Sequence, residues 1–217
     1  MEAAVVDDAG HLHMGYWKGN DALKGEEIPH DIDGAQLVSP STTGSLFLSK
    51  GDVLLKAPSL PQVRWITPNE PNIAVALLDV LLDLEKGHVI EGTFQVEASD
   101  TLIFPAIGVC LEEKDQRGTA VLFETWSQTE IGTLYWSDHP RFVSRDRTGF
   151  GCATVAGVPC RETCSYRFLI REGIFEIYLN DLLVQTFWAK DLTGRIGFIV
   201  HDAEGIFSPP RVWKMSL

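Results

Sequence analysis

The sequence predicts an all-β protein: two antiparallel sheets packed as a sandwich. Many short apolar segments are separated by Gly, Asn and Asp, the clearest of them alternates with a period of two, and its turns are short enough to fix register. With 217 residues, the chain fits one large domain or one domain with an appendage. A fold of that size hides roughly 70% of its extended surface and needs no staples.

Residues 1–33 are acidic and polar, with one alternating stretch, Leu12, Met14 and Tyr16, flanked by His11, His13 and Trp17. They are expected to form an irregular N-terminal extension, with the sandwich occupying residues 34–217. Residues 34–72 are broken by Pro40, Pro58, Pro61, Pro68 and Pro71, so only short extended pieces fit there. From residue 73 onward the pattern is β. Ile73 to Leu84 is ambiguous, because Leu77, Leu78, Leu81, Leu82 and Leu84 suit a helix face just ahead of a strand. The expectation there is a short helical turn followed by a strand.

Strands are expected at Val89 to Val96, Ile103 to Leu111, Thr119 to Trp126, Ile131 to Trp136, Arg195 to His201 and Arg211 to Met215. Tyr166 to Trp188 reads as a three-stranded meander. Phe168 and Ile170 alternate with Arg167, Leu169 and Arg171, Glu172-Gly173 turns the chain, Phe175 and Ile177 alternate with Glu176 and Tyr178, and Asn180-Asp181 turns it again. Trp188 and Trp213 lie in predicted strands and are expected in the core.

Acidic residues outnumber Lys and Arg 30 to 18, for a formal charge of −12. That field repels phosphate backbones and argues against nucleic acid as a partner. No apolar run reaches the ~20 residues of a membrane span, since Asp79 and Asp83 interrupt the longest. Met1 to Asp8 carries Glu2, Asp7 and Asp8 without a basic start, so no signal peptide is expected, which favours the cytoplasm. Cys110, Cys152, Cys160 and Cys164 form no CxxC pair; buried thiols, one disulfide and a metal site all stay open. Gly-x-Ser-x-Gly, a phosphate loop and Gly-x-Gly-x-x-Gly are absent, so no cofactor is expected. His11 and His13 have same-face strand spacing, but no third ligand accompanies them, and no metal is expected.

Arg167-Phe-Leu-Ile-Arg, Phe175-Glu-Ile-Tyr-Leu-Asn-Asp, Val184-Gln-Thr-Phe, Thr193-Gly-Arg-Ile-Gly-Phe and Val212-Trp-Lys-Met together resemble a known domain. It is the concanavalin-like, jelly-roll sandwich at the C-terminal end of family 32 glycoside hydrolases, the group of invertases, inulinases and levanases. Leu77-Leu-Asp-Val-Leu-Leu-Asp-Leu-Glu-Lys-Gly, followed by Val89-Ile-Glu-Gly-Thr, extends the resemblance upstream. Gly15-Tyr-Trp-Lys-Gly-Asn-Asp-Ala-Leu-Lys-Gly-Glu resembles the segment leaving the last propeller blade of such enzymes.

The catalytic half of that family is a propeller with Trp-Met-Asn-Asp-Pro-Asn-Gly, Arg-Asp-Pro and Glu-Cys motifs, and none occurs here. The resemblance therefore implies the accessory module without its catalytic partner, not catalytic by itself. Its expected work is binding a carbohydrate, fructan-like by resemblance, or holding a propeller in place. The alternatives are a structural or dimerising module without ligand and a self-contained sandwich glycosidase. The last needs two placed carboxylates; the acidic cluster Glu112-Glu113-Lys114-Asp115 reads instead as a solvated hairpin tip, and Asp181 as a turn residue.

Sugars are held by aromatic rings against their C–H faces and by paired bonds from carboxylates and guanidinium groups. Glu124, Trp126, Trp136, Asp138 and Arg141 supply those groups within a short span and are the expected carbohydrate site. The plainer reading makes one Trp core and the charges rim. By the resemblance, Tyr16, Trp17 and Trp65 would contact a propeller; without one they wrap onto the sandwich or leave an apolar patch that favours a homodimer. Arg195 is expected to pair with Asp191 or a neighbouring strand.

Overall fold

A computed structural model describes residues 2–6, 8, 10–40, 44–57, 72–83, 85–98, 105–114, 116–125, 128–144, 152–154, 161–188 and 193–216. Among these, the first strands are β1 (Glu2–Val6), β2 (Leu12–Tyr16), β3 (Lys24–Glu27), β4 (Gln36–Leu37), β5 (Ser45–Ser49) and β6 (Asp52–Lys56). Then come β7 (Ile73–Asp83), β8 (His88–Ala98), β9 (Ala106–Glu112), β10 (Arg117–Glu124), β11 (Gln128–Tyr135), β12 (Arg141–Ser144) and β13 (Cys152–Thr154). The rest are β14 (Thr163–Arg171), β15 (Ile174–Leu179), β16 (Leu182–Trp188), β17 (Thr193–His201), β18 (Ala203–Phe207) and β19 (Arg211–Met215).

They form two antiparallel sheets. The larger runs β1-β2-β16-β15-β14-β8-β18-β6-β5, with β19 joining β8 and β3; the smaller runs β12-β11-β10-β9-β17-β7-β4, with β13 on β11. The predicted meander is β14 to β16. Both its turns carry two consecutive residues in the left-handed region, Glu172 and Gly173 at φ 51° and 77°, and Asn180 and Asp181 at φ 48° and 63°. That is the twist a two-residue hairpin needs.

The core lies between the sheets. Phe198 of the smaller stacks on Phe207 of the larger with centroids 4.2 Å apart, and Phe94 stacks on Phe123 at 5.5 Å. Phe168, Ile170, Phe175 and Ile177 point into the same cluster, as their alternation requires. The smaller sheet also buries its other face, where Ile73, Val75, Leu77, Cys110, Ala120, Leu122, Leu134 and Ile199 form a second apolar cluster. Cys110 and Cys164 are free, buried thiols, and burial pushes both thiols up.

Two expectations are corrected. Ile73 to Leu84 contains no helical turn among its described residues: Ile73–Asp83 is one strand, paired with β17 on one side and β4 on the other. Its first half is apolar on both faces because both are buried there, Ala74, Ala76 and Leu78 inward and Ile73, Val75 and Leu77 outward, while Asp79 and Leu81 further on are exposed. Trp188 is not core. Phe187 packs against the inter-sheet cluster, so its neighbour alternates outward and stands 56% exposed. Trp213 is buried, flanked by Lys24 at 4.8 Å and Arg211 at 4.5 Å from its ring centroid.

The N-terminal strands are bonded into the larger sheet: β2 meets β16 at Gly15 and Leu182, and β3 lies along β19.

Candidate functional site

A cavity of about 510 Å³ opens at one end of the smaller sheet, lined by Glu112, Gln116, Trp136, Asp138, Arg195 and the segment Val38–Pro40. Glu112 ends β9 and Arg195 sits near the start of β17, and those strands are paired neighbours. The Arg195 guanidinium grips the Glu112 carboxylate with both ends, Nε donating to Oε2 at 2.7 Å and Nη2 to Oε1 at 2.9 Å. Gly194 makes that approach possible: a Cβ there would lie 1.8 Å from the Glu112 carbonyl oxygen. The pair holds the Glu112 carboxyl below the usual carboxylate range, chiefly through the hydrogen bond from Arg195. Such a pair is preset at the cavity wall, because two strands position it rather than a loop.

The opposite wall is pinned as firmly. Val38 N–H donates to Val75 O at 2.9 Å, and Val75 N–H donates to Ser39 Oγ at 3.0 Å, which ties the Val38–Pro40 segment to β7. Trp136 follows the end of β11, where its N–H donates to Gln116 O at 3.1 Å. Its ring belongs to the outer apolar cluster and is 4% exposed, so it is a packed wall and not an open stacking platform.

Of the five residues expected to form one carbohydrate site, the four that are described are not brought together. Trp136 and Asp138 line the cavity. Arg141 begins β12 opposite Tyr135, with its guanidinium carbon 4.6 Å from the Tyr135 ring centroid, and it is not among the lining residues. Glu124 lies at the far end of the β10–β11 hairpin, paired with Ala106. Trp126 lies outside the described residues. Burial, with a smaller contribution from the charge of Glu130, pushes the Glu124 carboxyl up to about 7. By alternation from Leu122 and Leu134, both acids face the outer side of the smaller sheet.

Three functional candidates were missed from sequence. Glu112 is not part of a merely solvated tip but the partner of Arg195, and Gln116 and Ser39 join it at the cavity. The partner of Arg195 does come from a neighbouring strand, while Asp191 lies outside the described residues. Glu112 and Arg195 are 83 positions apart, so no local spacing signals the pair.

Of the residues expected to contact a propeller, Tyr16 wraps onto the sandwich. Its ring packs edge-on against Tyr178 at 5.3 Å, lies under Arg167 at 3.5 Å, and its hydroxyl donates to Asp21 at 2.9 Å. Trp17 is 42% exposed. Trp65 lies outside the described residues. The β1–β2 hairpin also exposes Val6, Leu12 and Met14, with Val6 opposite Leu12. No group of three or more His, Cys, Asp or Glu side chains suited to a metal occurs among the described residues, and none of their helices is long and apolar enough to cross a membrane.

No protein-family model and no curated protein matches the chain. Solved structures do. The carbohydrate-binding module CBM66 from Bacillus subtilis superposes with a TM-score of 0.60 at 11% identity, covering 83% of this chain and 95% of that one. A putative glycosyl hydrolase from Parabacteroides distasonis gives 0.54 at 10% identity, covering 93% and 98%. The exoplasmic/lumenal domain of VIP36, in its Ca2+/Man3GlcNAc-bound form, gives 0.57 at 11% identity, covering 89% and 92%. The chain thus has the lectin-like, concanavalin/galectin type of β-sandwich fold.

Proposed function

We propose that this protein is a carbohydrate-binding sandwich module, and that the cavity at Glu112, Arg195 and Asp138 holds the sugar. The observation that carries this reading is the Arg195–Glu112 pair, fixed by two adjacent strands at a polar cavity beside Asp138 and Gln116. Carboxylate, guanidinium, amide and hydroxyl groups around one space match the donors and acceptors of vicinal sugar hydroxyls. The neighbours named for carbohydrate binding or found with a glycan support the same reading.

The sugar is fructan-like and the module accompanies a family 32-like catalytic propeller, as the resemblance of Thr193-Gly-Arg-Ile-Gly-Phe and its companion segments implies. The exposed Val6, Leu12, Met14 and Trp17 give the propeller an apolar surface to rest on; a homodimer through the same hairpin is the other outcome. Calorimetric titration with sucrose, fructose, inulin and levan tests the reading. Saturable heat with one of them, lost in Asp138→Ala, is the expected result; no heat with any of them leaves the scaffold role.

A self-contained glycosidase is the second reading, favoured by one observation. Glu124 and Glu130 share the outer face of the smaller sheet, and Glu124 keeps its proton to about pH 7, as a general acid must. Release of reducing sugar by the pure protein, abolished in Glu124→Gln, would establish it.

A further inference from the structure

The larger sheet has a break in it that the sequence explains. Strands β18 and β19 both pair with β8, the first along Phe94 to Ala98 and the second along His88 to Glu91. Between them come Ser208, Pro209 and Pro210, facing Gly92 and Thr93. Two consecutive prolines have no N–H to offer the ladder, so it cannot continue. Ser208 closes part of the gap: its N–H donates to Thr93 O at 3.0 Å, and its Oγ accepts from Thr93 N–H at 2.9 Å. The remaining space is a cavity of about 300 Å³ reaching from Ser208, Pro209 and Arg211 across Gly92 to Ser165, Arg167 and Asp181.

The charged groups that line this cavity are paired, and their charges balance. Arg167 donates through Nε to Glu91 and through Nη1 to Asp181 at 2.7 Å, with its guanidinium over Tyr16. Arg211 grips Glu27 through Nε and Nη2 at 2.9 and 2.8 Å and lies over Trp213. The lining therefore offers two guanidiniums and two carboxylates, Glu91 and Asp181, with the hydroxyls of Thr93, Ser165 and Ser208 between them. An anion there would face two carboxylates, and a cation two guanidiniums; an uncharged, hydroxyl-rich ligand suits both.

A separate feature marks the same place. Tyr166 lines the cavity wall, belongs to the inter-sheet core, and its buried hydroxyl has no hydrogen-bond partner. That hydroxyl lies over Gly92, where a Cβ would come within 2.4 Å of it. A buried hydroxyl left unpaired costs about 1–3 kcal/mol, and it is left so beside the break in the ladder.

We propose that this cavity is a second ligand site, for one uncharged sugar ring, on the opposite outer face of the sandwich from the cleft at Arg195. It does not depend on the cleft being a sugar site. Bound sugar hydroxyls bridge Arg167, Asp181 and Arg211, and a hydroxyl or an accompanying water seated in the break completes Tyr166. If both sites are filled, the module is bivalent and joins two glycan chains.

The test is amide-resolved NMR titration of the full chain with fructose, mannose, galactose and glucose, with sorbitol, glucuronate and glucosamine as acyclic, anionic and cationic probes. Expected are saturable shifts at Thr93, Ser165, Asp181 and Ser208 with at least one neutral sugar. Asp181→Asn, which keeps a residue tolerant of the left-handed turn, should weaken binding there about tenfold, and Asp138→Ala should leave it unchanged. Loss in Asp138→Ala with no effect of Asp181→Asn would overturn this site and keep the cleft. Stronger binding of glucuronate or glucosamine than of every neutral sugar would overturn the ligand class, and no saturable shift at these residues with any probe would overturn the site outright.

Discussion

The two sheets spend their residues differently. The smaller buries most of both faces, so its polar chemistry lies mainly toward its ends, with Glu112 and Arg195 at one end and Glu124 at the other. The larger buries its inner face and covers only part of its outer one, where Tyr16, Val89, Leu169, Tyr178 and Trp213 form a small apolar cluster beside Arg167, Glu91, Lys24 and Asp21, which are joined by contacts of 2.8 Å or less. A sheet buried on both sides gains stability and loses display area; one whose outer face is only partly covered can carry ligands where it stays open.

The largest effect that would break this contrast comes from placing a charge on each outer face. Leu122→Glu is expected to cost more than about 4 kcal/mol by urea denaturation, because an unpaired carboxylate enters an apolar cluster. Ser165→Glu on the larger sheet should stay within about 0.5 kcal/mol. Equal losses would mean that the faces are alike.

The pH dependence sharpens the contrast by a smaller amount. Glu124 is raised to about 7, chiefly by burial, so below the ordinary carboxylate range it costs nothing, it destabilises progressively as pH rises from that range to about 7, and the cost is then constant. Glu124→Gln should therefore raise stability at pH 8 by about 1–2 kcal/mol, after allowance for solvent screening, and have little effect at pH 4. Glu112 has the opposite sign. Its carboxyl is lowered by Arg195, so its contribution is present above the ordinary carboxylate range and is lost as pH falls through the lowered value. Glu112→Gln should flatten the acid limb of the melting profile. The smallest effect belongs to the exposed Lys214–Glu26 pair, and Lys214→Ala should leave Tm unchanged while Arg167→Ala lowers it.

Legibility from sequence followed the same division. The β14–β16 meander was readable because alternation marks a sheet with one wet face and because Glu172-Gly173 and Asn180-Asp181 tolerate positive φ. Ile73–Asp83 was not, because its first half is buried on both sides and loses the period of two, and the leucines, the exposed Leu81 among them, then mimic a helix face. Trp188 looked like core by residue type, and only the inward direction of Phe187 places it outside. At the cleft, Trp136 and Asp138 could be picked out by chemistry along the chain. Their partners Glu112 and Arg195 depend on which strand lies beside which, and that information is not local.

The pairing of β3 with β19 also sets a timetable. Glu26 and Lys214 meet across 188 positions, so during synthesis β3 emerges long before the strand that receives it. The β1–β2 hairpin, with Val6, Leu12 and Met14 on its surface, likewise waits for β16. Until then an unpaired, apolar strand edge is open to other chains in the cell. The larger sheet is therefore completed only once β19 has been made, and until then the edges of β1 to β3 depend on being kept from other chains.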